Sequence, residues 1–278
     1  MTLRTLELRA HRGPVDLDAT FAFLGRRAIP AVEACEAGCY TRTLRAPGGP
    51  ARISLTPGED AVACRVELTD GDDLVTVVAR VRRLLDLDVD TSAVDDQLAA
   101  DPVLGPLVTR RPGLRAPGTV DGFEMAIRAV VGQQISVSGA RTILGRIAAD
   151  HGSRAFDGQL FPTAAELAVI DPSSLPMPRS RARTVLAVAR ACASGELSLD
   201  PDADRGREHA ALLALPGIGP WTADYISMRA MGDTDVLLGT DLGVRKSADR
   251  LGVDLADGCP DWAPWRSYAT HHLWAALH

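Results

Sequence analysis

The sequence predicts an α+β fold: a small antiparallel sheet with two helices over residues 1–90, then an all-helical region over 91–278. Three observations carry this. Short apolar runs separated by Gly/Pro turns fall within the first seventy residues. From about residue 91 the apolar residues recur at helical spacing instead. The chain has 278 residues, 46% hydrophobic and 24% charged, which fits a globular protein and excludes a disordered one. No apolar run approaches the ~18 residues a membrane span needs.

Thr2–Arg9 alternates, with Leu3, Leu6 and Leu8 apolar, and reads as a strand. Asp16–Ile29 has Leu17, Phe21, Leu24 and Ala28 at helical spacing, with acids at its start. Tyr40–Leu44, Ala51–Thr56 and Val62–Leu68 are short strands divided by turns such as Pro47-Gly48-Gly49-Pro50. Asp70–Leu87 carries one apolar stripe, Leu74, Val77, Val78, Val81, Leu84 and Leu85. Two helices bracketing strands predict a sheet covered on one face. Beyond it, Asp95–Ala99 and Pro102–Val108 are short helices. A Pro/Gly loop over 111–118 leads to helices at Asp121–Gln134 and Ser136–Asp150. Thr163-Ala164-Ala165-Glu166 fits a capping box. Ser180–Ser194 is a helix ended by Gly195. His209–Leu215, Trp221–Met231, Asp241–Leu251 and Trp265–Leu277 complete the series.

Net charge is −6, which argues against nucleic acid on bulk electrostatics. Of the 30 basic residues, however, Lys246 alone is lysine. Arginines cluster at Arg80–Arg83, Arg110–Arg115 and Arg179–Arg190, so a local basic face stays open. The five cysteines, Cys35, Cys39, Cys64, Cys192 and Cys259, are widely spaced without a CxxC pair, and read as buried reduced thiols. The N-terminus lacks a signal-peptide core, giving a cytoplasmic, nucleoid-associated expectation.

The most informative stretch is Leu212–Lys246. Leu215-Pro216-Gly217-Ile218-Gly219 joins two helices. Pro216 stops the first, and the glycines permit a turn that other residues resist. Backbone N–H groups there can approach a phosphate, and the second helix points its positive end at the same place. Such anchoring holds a strand without reading its sequence. An ordinary helix–turn–helix corner is the alternative. About twenty residues on, Asp241 stands at the start of a helix; it is an N-cap by position, or a carboxylate doing chemistry. Asp224, Asp233 and Asp235 are weaker candidates, Asp224 on an exposed helix face. Aromatic residues make up only 4% of the chain, yet Trp221 and Tyr225 lie four apart on one helix face. Phe21, Phe123 and Trp262 read as core.

These motifs resemble the helix-hairpin-helix DNA glycosylase superfamily, and most of all bacterial 3-methyladenine DNA glycosylase II. The likeness lies in Gly217-Ile218-Gly219-Pro220-Trp221-Thr222-Ala223, Gly118-Thr119-Val120-Asp121-Gly122-Phe123-Glu124 and Pro264-Trp265-Arg266-Ser267-Tyr268, and runs over nearly the whole chain. It implies a monofunctional glycosylase that extrudes an alkylated base from double-stranded DNA and hydrolyses its N-glycosidic bond in base excision repair. Asp241 would stabilise positive charge on the sugar. Pro216, Gly217, Ile218, Gly219 and Thr222 would hold the DNA backbone. Trp221, Tyr225, Trp274 and Phe23 would line the base pocket, where a cationic alkylpurine stacks on an electron-rich ring. Leu242 would line the base pocket as well, in place of the tyrosine that follows the catalytic aspartate in the family, and would make that part of the pocket more apolar. Gln134 or Ile135 would be the wedge that fills the gap left by the extruded base. No cofactor is required, although the carbonyls of Leu213, Leu215 and Gly217 would face a monovalent cation, Na+ or K+. Lyase members use a lysine just after the hairpin; Trp221 occupies that neighbourhood, so base removal by water is expected. The family also occurs fused behind an alkyl-transfer regulatory module. Single-lesion chemistry needs only a monomer. A non-catalytic DNA-binding hairpin is the alternative function.

Overall fold

The computed structural model describes residues 1–277. The first strand, β1 (Thr2–Arg9), precedes helix α1 (Leu17–Arg27) and strands β2 (Glu33–Glu36), β3 (Cys39–Ala46), β4 (Gly49–Pro57) and β5 (Ala61–Leu68). They form one antiparallel sheet in the order β1-β5-β4-β3-β2. Strand β2 is not legible in the sequence, because Glu-Ala-Cys-Glu has no apolar alternation. The register sets Tyr40 beside Leu55, Leu55 beside Cys64 and Cys64 beside Leu6. Because side chains alternate at period two, that row and its neighbours Leu44, Ala51, Ile53, Val66 and Leu68 share one face. Helices α1 and α2 (Leu74–Leu84) supply Phe21, Phe23, Leu24, Val77, Val81 and Leu84 to the same core. A short 3-10 turn, Gly71–Asp73, replaces the first turn of the longer helix that the apolar stripe predicts.

The helical body comprises α3 (Thr91–Ala99), α4 (Leu104–Arg110), α5 (Gly122–Gly132), α6 (Val137–His151), α7 (Ala164–Ala168), α8 (Arg179–Ser194), α9 (Arg205–Ala214), α10 (Pro220–Ala230), α11 (Leu242–Leu251) and α12 (Arg266–Ala275). Helix α9 begins four residues before the predicted His209, capped by the Asp204 carboxylate on the Arg207 amide. The Thr163–Glu166 capping box is present, and Gly195 ends α8 in the left-handed region, as expected. The region is not purely helical. Strands β6 (Ser153–Ala155) and β7 (Gly158–Leu160) form a hairpin between α6 and α7. Three-residue strands carry no readable period. They are held from outside: the Gln159 amide donates to Ala31 O at 2.7 Å and the Thr43 hydroxyl to Gln159 O at 2.5 Å. The hairpin thus covers Thr43, on the sheet face opposite the core.

Two apolar cores fill the helical body. One joins α5, α6, α8, α9 and α10 and takes in Ile29 and Val32 from the segment after α1. The other joins α3, α4, α11 and α12 around Trp262 and Tyr268. A buried ionic network ties the sheet to α5. Arg42 bonds Glu33 at 3.1 Å and Glu124 at 2.8 Å, and Arg128 bonds the same two carboxylates at 2.5 and 2.6 Å. Tyr40 donates its hydroxyl to Glu33. Burial would raise the Glu33 carboxyl, but the Arg128 and Arg42 guanidiniums more than offset it and hold it below the usual range.

Several arginines of the predicted basic clusters serve the fold. Arg115 is fully buried and gathers the carbonyls of Asp86, Val89 and Pro14. Arg83 donates to Thr119 O, and Arg82 pairs with Asp88. The thiols are not uniformly buried: Cys64 and Cys259 are, while Cys35 is exposed on the edge strand β2 and Cys39 and Cys192 are half-buried. No helix among the described residues is long and apolar enough to cross a membrane.

Candidate active site

The hairpin follows from three residues. Pro216 cannot continue α9, Gly217 turns the chain at φ +84°, and Pro220 occupies the first position of α10. A Cβ at Gly217 would lie 2.1 Å from Thr184 Oγ1 on α8, so glycine is required by space as well as by conformation. Leu212 and Ile218 are buried and Leu215 packs against the same core, fastening both helices underneath. Gly217 and Gly219 are exposed, and their amides make no hydrogen bond among the described residues. They stand open at the positive end of α10.

Thr222 is not part of that open face. It is 3% exposed, and its hydroxyl accepts from Gln133 Nε2 at 2.9 Å. The same amide nitrogen donates to Gly217 O at 3.1 Å. Gln133 therefore couples the hairpin to the loop after α5, whose next residue, Gln134, is exposed with φ +57°. Ile135 is half-buried and turned inward to the cavity described next.

Behind this loop lies a cavity of about 640 Å³, with walls from α1, α5, α10 and α12. It opens where the three cores meet. Phe23 belongs to the sheet core; Trp274 packs against that core and the α11–α12 core; Tyr225 packs against both helical cores. Trp221 and Tyr225 stack at 5.4 Å between centroids, Phe23 and Trp274 at 6.5 Å. Among these rings lies the Asp241 carboxylate. Its Oδ1 accepts from the Gly243 amide at 2.9 Å, the Val244 amide at 3.0 Å and Trp274 Nε1 at 2.9 Å. Its Oδ2 accepts from Trp221 Nε1 alone, at 3.2 Å. The cap and the two indoles together fix an anion at the cavity wall with one oxygen less fully satisfied. Gly243 allows the close approach, since its Cβ would meet Trp274 Cδ1 at 3.1 Å.

Sequence similarity tells which proteins share this architecture. A family model described as the AlkA N-terminal domain matches residues 5–121. "DNA-3-methyladenine glycosylase 2" of Escherichia coli is 32% identical over 270 residues, covering 94% of each chain. The chain belongs to the DNA-3-methyladenine glycosylase 2 family. Within the family, the "Probable bifunctional transcriptional activator/DNA repair enzyme AlkA" of Mycobacterium tuberculosis is 45% identical over 276 residues. The match covers 96% of this chain but 56% of that relative, so the chain spans about half of that relative's length. The fold is that of the 3-methyladenine DNA-glycosylase from Archaeoglobus fulgidus, at a TM-score of 0.83, 20% identity and 97% coverage of both chains.

Against that family background, the structure brings together Asp241, Trp221, Tyr225, Trp274 and Phe23, all on the cavity wall. It sets Leu242 apart. That side chain is 83% exposed and does not line the cavity, because the first residue after the N-cap points outward from α11. Trp221 and Trp274 do more than the expected stacking, since their N–H groups orient the carboxylate. Asp224 is half-buried rather than exposed and bonds His209 Nε2 at 2.8 Å across the hairpin.

Sequence reasoning missed Arg27, Arg229, His271 and Gln133. Two had a signal: Arg27 follows Phe23, and Arg229 follows Tyr225, by four residues on a helix. Arg27 Cζ lies 3.7 Å from the Phe23 centroid, and Arg229 Cζ 4.7 Å. Burial lowers Arg27 to about 10, still a cation at neutral pH. Burial raises the Tyr225 phenol, but Arg229, Arg27 and Arg128 outweigh it and lower it overall. Burial, with Arg229 and Arg27 nearby, puts His271 well below its usual value, so the imidazole is neutral. Among the described residues no group of three or more His, Cys, Asp or Glu is placed to hold a metal ion.

Proposed function

We propose that the protein is a monofunctional DNA glycosylase that releases alkylated bases from duplex DNA by hydrolysis. The observation that carries this is the Asp241 carboxylate, held by two indole N–H groups on the wall of an aromatic cavity that has room for a base. As the N-glycosidic bond lengthens, positive charge gathers on the sugar. The Asp241 carboxylate stabilises it most through Oδ2, which has the fewest competing donors. Water then adds to the sugar carbon and leaves an abasic site. The exposed Gly217 and Gly219 amides receive the DNA backbone, and Gln134, at the exposed tip of its loop, enters the stack in place of the extruded base. Ile135, being turned inward, closes the cavity beneath it.

Two finer points belong to this reading. Lys246 is exposed on α11 and does not line the cavity, which supports hydrolysis without strand cleavage. The Leu215 carbonyl accepts the Ile218 amide and the Gly217 carbonyl accepts Gln133 Nε2. Each keeps a second lone pair, so together with the Leu213 carbonyl they suit a weakly held monovalent cation that would bridge to a phosphate. Nothing in the reading requires more than one copy of the chain.

The test is base release from methylated duplex DNA by the wild type and Asp241→Asn, with the abasic strand examined for breaks. The Asn amide group would turn a donor toward donors at either oxygen position, so release should be lost while DNA binding survives. Equal release by both proteins would sink the assignment of Asp241. DNA binding by a wild type that releases no base would favour a non-catalytic hairpin protein.

A further inference from the structure

Most polar groups on the cavity wall are already engaged. The two indoles hold Asp241, and Glu33 is paired with Arg42 and Arg128. The Tyr225 hydroxyl is shared by Arg229 and Arg27. Among the described residues, two that line the cavity have a buried side-chain nitrogen without a partner, Arg115 Nε and His271 Nε2. The first can only donate, and the rest of that guanidinium is tied to the carbonyls of Asp86, Val89 and Pro14. The second is different. His271 is 5% exposed and packs on α12 against two rings, Phe23 at 5.2 Å and Trp274 at 5.0 Å between centroids, the latter edge-on. Burial, with the Arg229 and Arg27 cations nearby, keeps the imidazole neutral. One of its nitrogens therefore carries a free lone pair, and with no hydrogen bond to fix the tautomer, either can present it to a ligand. A polar atom buried without a partner costs stability. An apolar side chain of similar size would fill the same place without that cost.

We propose that His271 is a specificity-determining residue of the pocket, whose ring nitrogen accepts a hydrogen bond from the N–H edge of an extruded, positively charged alkylpurine. The inference rests on the base-releasing reading above and deepens it. A flipped base is read along its Watson–Crick edge. Alkylation of a purine ring nitrogen leaves a positive charge shared over the ring and its exocyclic amino group. That charge strengthens the N–H groups as donors and weakens the acceptors of the base. The arginines on the wall offer donors, and the Glu33 and Asp241 carboxylates are engaged. A neutral acceptor beside the stacking rings selects such a base without the cost of burying a further anion. The base sheds its charge as the glycosidic bond breaks, so the contact weakens toward the transition state. His271 therefore acts on capture of the base rather than on the chemical step.

The experiment follows release of 7-methylguanine, a cationic base with N–H groups on that edge, from a duplex under single-turnover conditions at a series of enzyme concentrations. His271→Leu should raise the enzyme concentration giving the half-maximal rate by about tenfold, with the loss in that concentration rather than in the saturating rate. His271→Gln restores an acceptor through its side-chain carbonyl and should bring the concentration back to within about threefold of wild type. His271→Leu should also melt at or above the wild-type temperature, since the unpartnered nitrogen is gone. If leucine overpacks the site and the variant melts below the assay temperature, the smaller His271→Val reads the same constant. An unchanged half-maximal concentration in the folded apolar variant, a loss confined to the saturating rate, or no rescue by His271→Gln would overturn the role of His271. If the wild type released no base, the base-releasing reading would be what failed, and this inference with it.

Discussion

Trp221→Phe separates the two roles of one side chain. Phenylalanine keeps a ring to stack on Tyr225 at the 5.4 Å spacing and removes the N–H that donates to Asp241 Oδ2. The two carboxylate oxygens are not equally held: Oδ1 has three donors and Oδ2 has Trp221 alone. A hydrogen bond to a charged group contributes about 1.5–3 kcal/mol. At 3.2 Å this one lies at the long end of the normal range, so the lower figure applies, which is roughly a tenfold loss of rate. Trp274→Phe leaves two amide donors on Oδ1, and its loss should be nearer threefold, about 0.7 kcal/mol. The assay is single-turnover release of a methylated base, with thermal melting to show that each variant is folded. Wild-type rates in a folded Trp221→Phe would refute the idea that the indole positions the carboxylate.

Other consequences follow from the fold. Burial pushes the Asp86 carboxyl up to about 6, although the Tyr268 hydroxyl, the Ala116 amide and Arg115 pull it down. The native state therefore holds a proton that the unfolded chain has lost between about pH 4 and 6, and stability falls by about 2–3 kcal/mol as pH rises through that window. Denaturant titrations at several pH values should show this slope in the wild type and its absence in Asp86→Asn. Gly217→Ala forces a Cβ into the left-handed region and against Thr184 Oγ1; a loss of about 1–3 kcal/mol is expected, with weaker binding of undamaged duplex, and unchanged stability would show that α8 gives way. Glu124→Gln leaves Arg42 and Arg128 sharing one carboxylate in a buried site, and urea unfolding should register a loss of about 3–5 kcal/mol. A loss under 1 kcal/mol would mean that water reaches the network.

Most elements were legible because their signals are local. The alternation of Leu3, Leu6 and Leu8, the Val77–Val81–Leu84 stripe, the Thr163–Glu166 box and the terminating Gly195 each specify structure within one or two turns of chain. Strand β2 was not legible because Glu33–Glu36 has no apolar alternation, and the β6–β7 hairpin was not because its three-residue strands carry no period and what holds them is bonding to the distant Ala31 and Thr43. The aromatic residues of the site were legible largely through resemblance. The partners that define its charge lay partly in view, as arginines one helical turn from Phe23 and Tyr225.

By itself, then, the sequence determined the family, the hairpin with its two glycines, and Asp241 at the head of a helix. It did so because proline, glycine and an N-capping carboxylate act on their immediate neighbours whatever surrounds them. Only the tertiary structure decided that Leu242 faces solvent and that Thr222 is covered by Gln133. It alone brought Trp221 and Trp274, 53 residues apart, to one carboxylate, and set the guanidiniums of Arg27 and Arg229 on the same wall. Which way a side chain points, and which charges it meets there, is fixed by the packing of three cores against one another, and no local pattern encodes that.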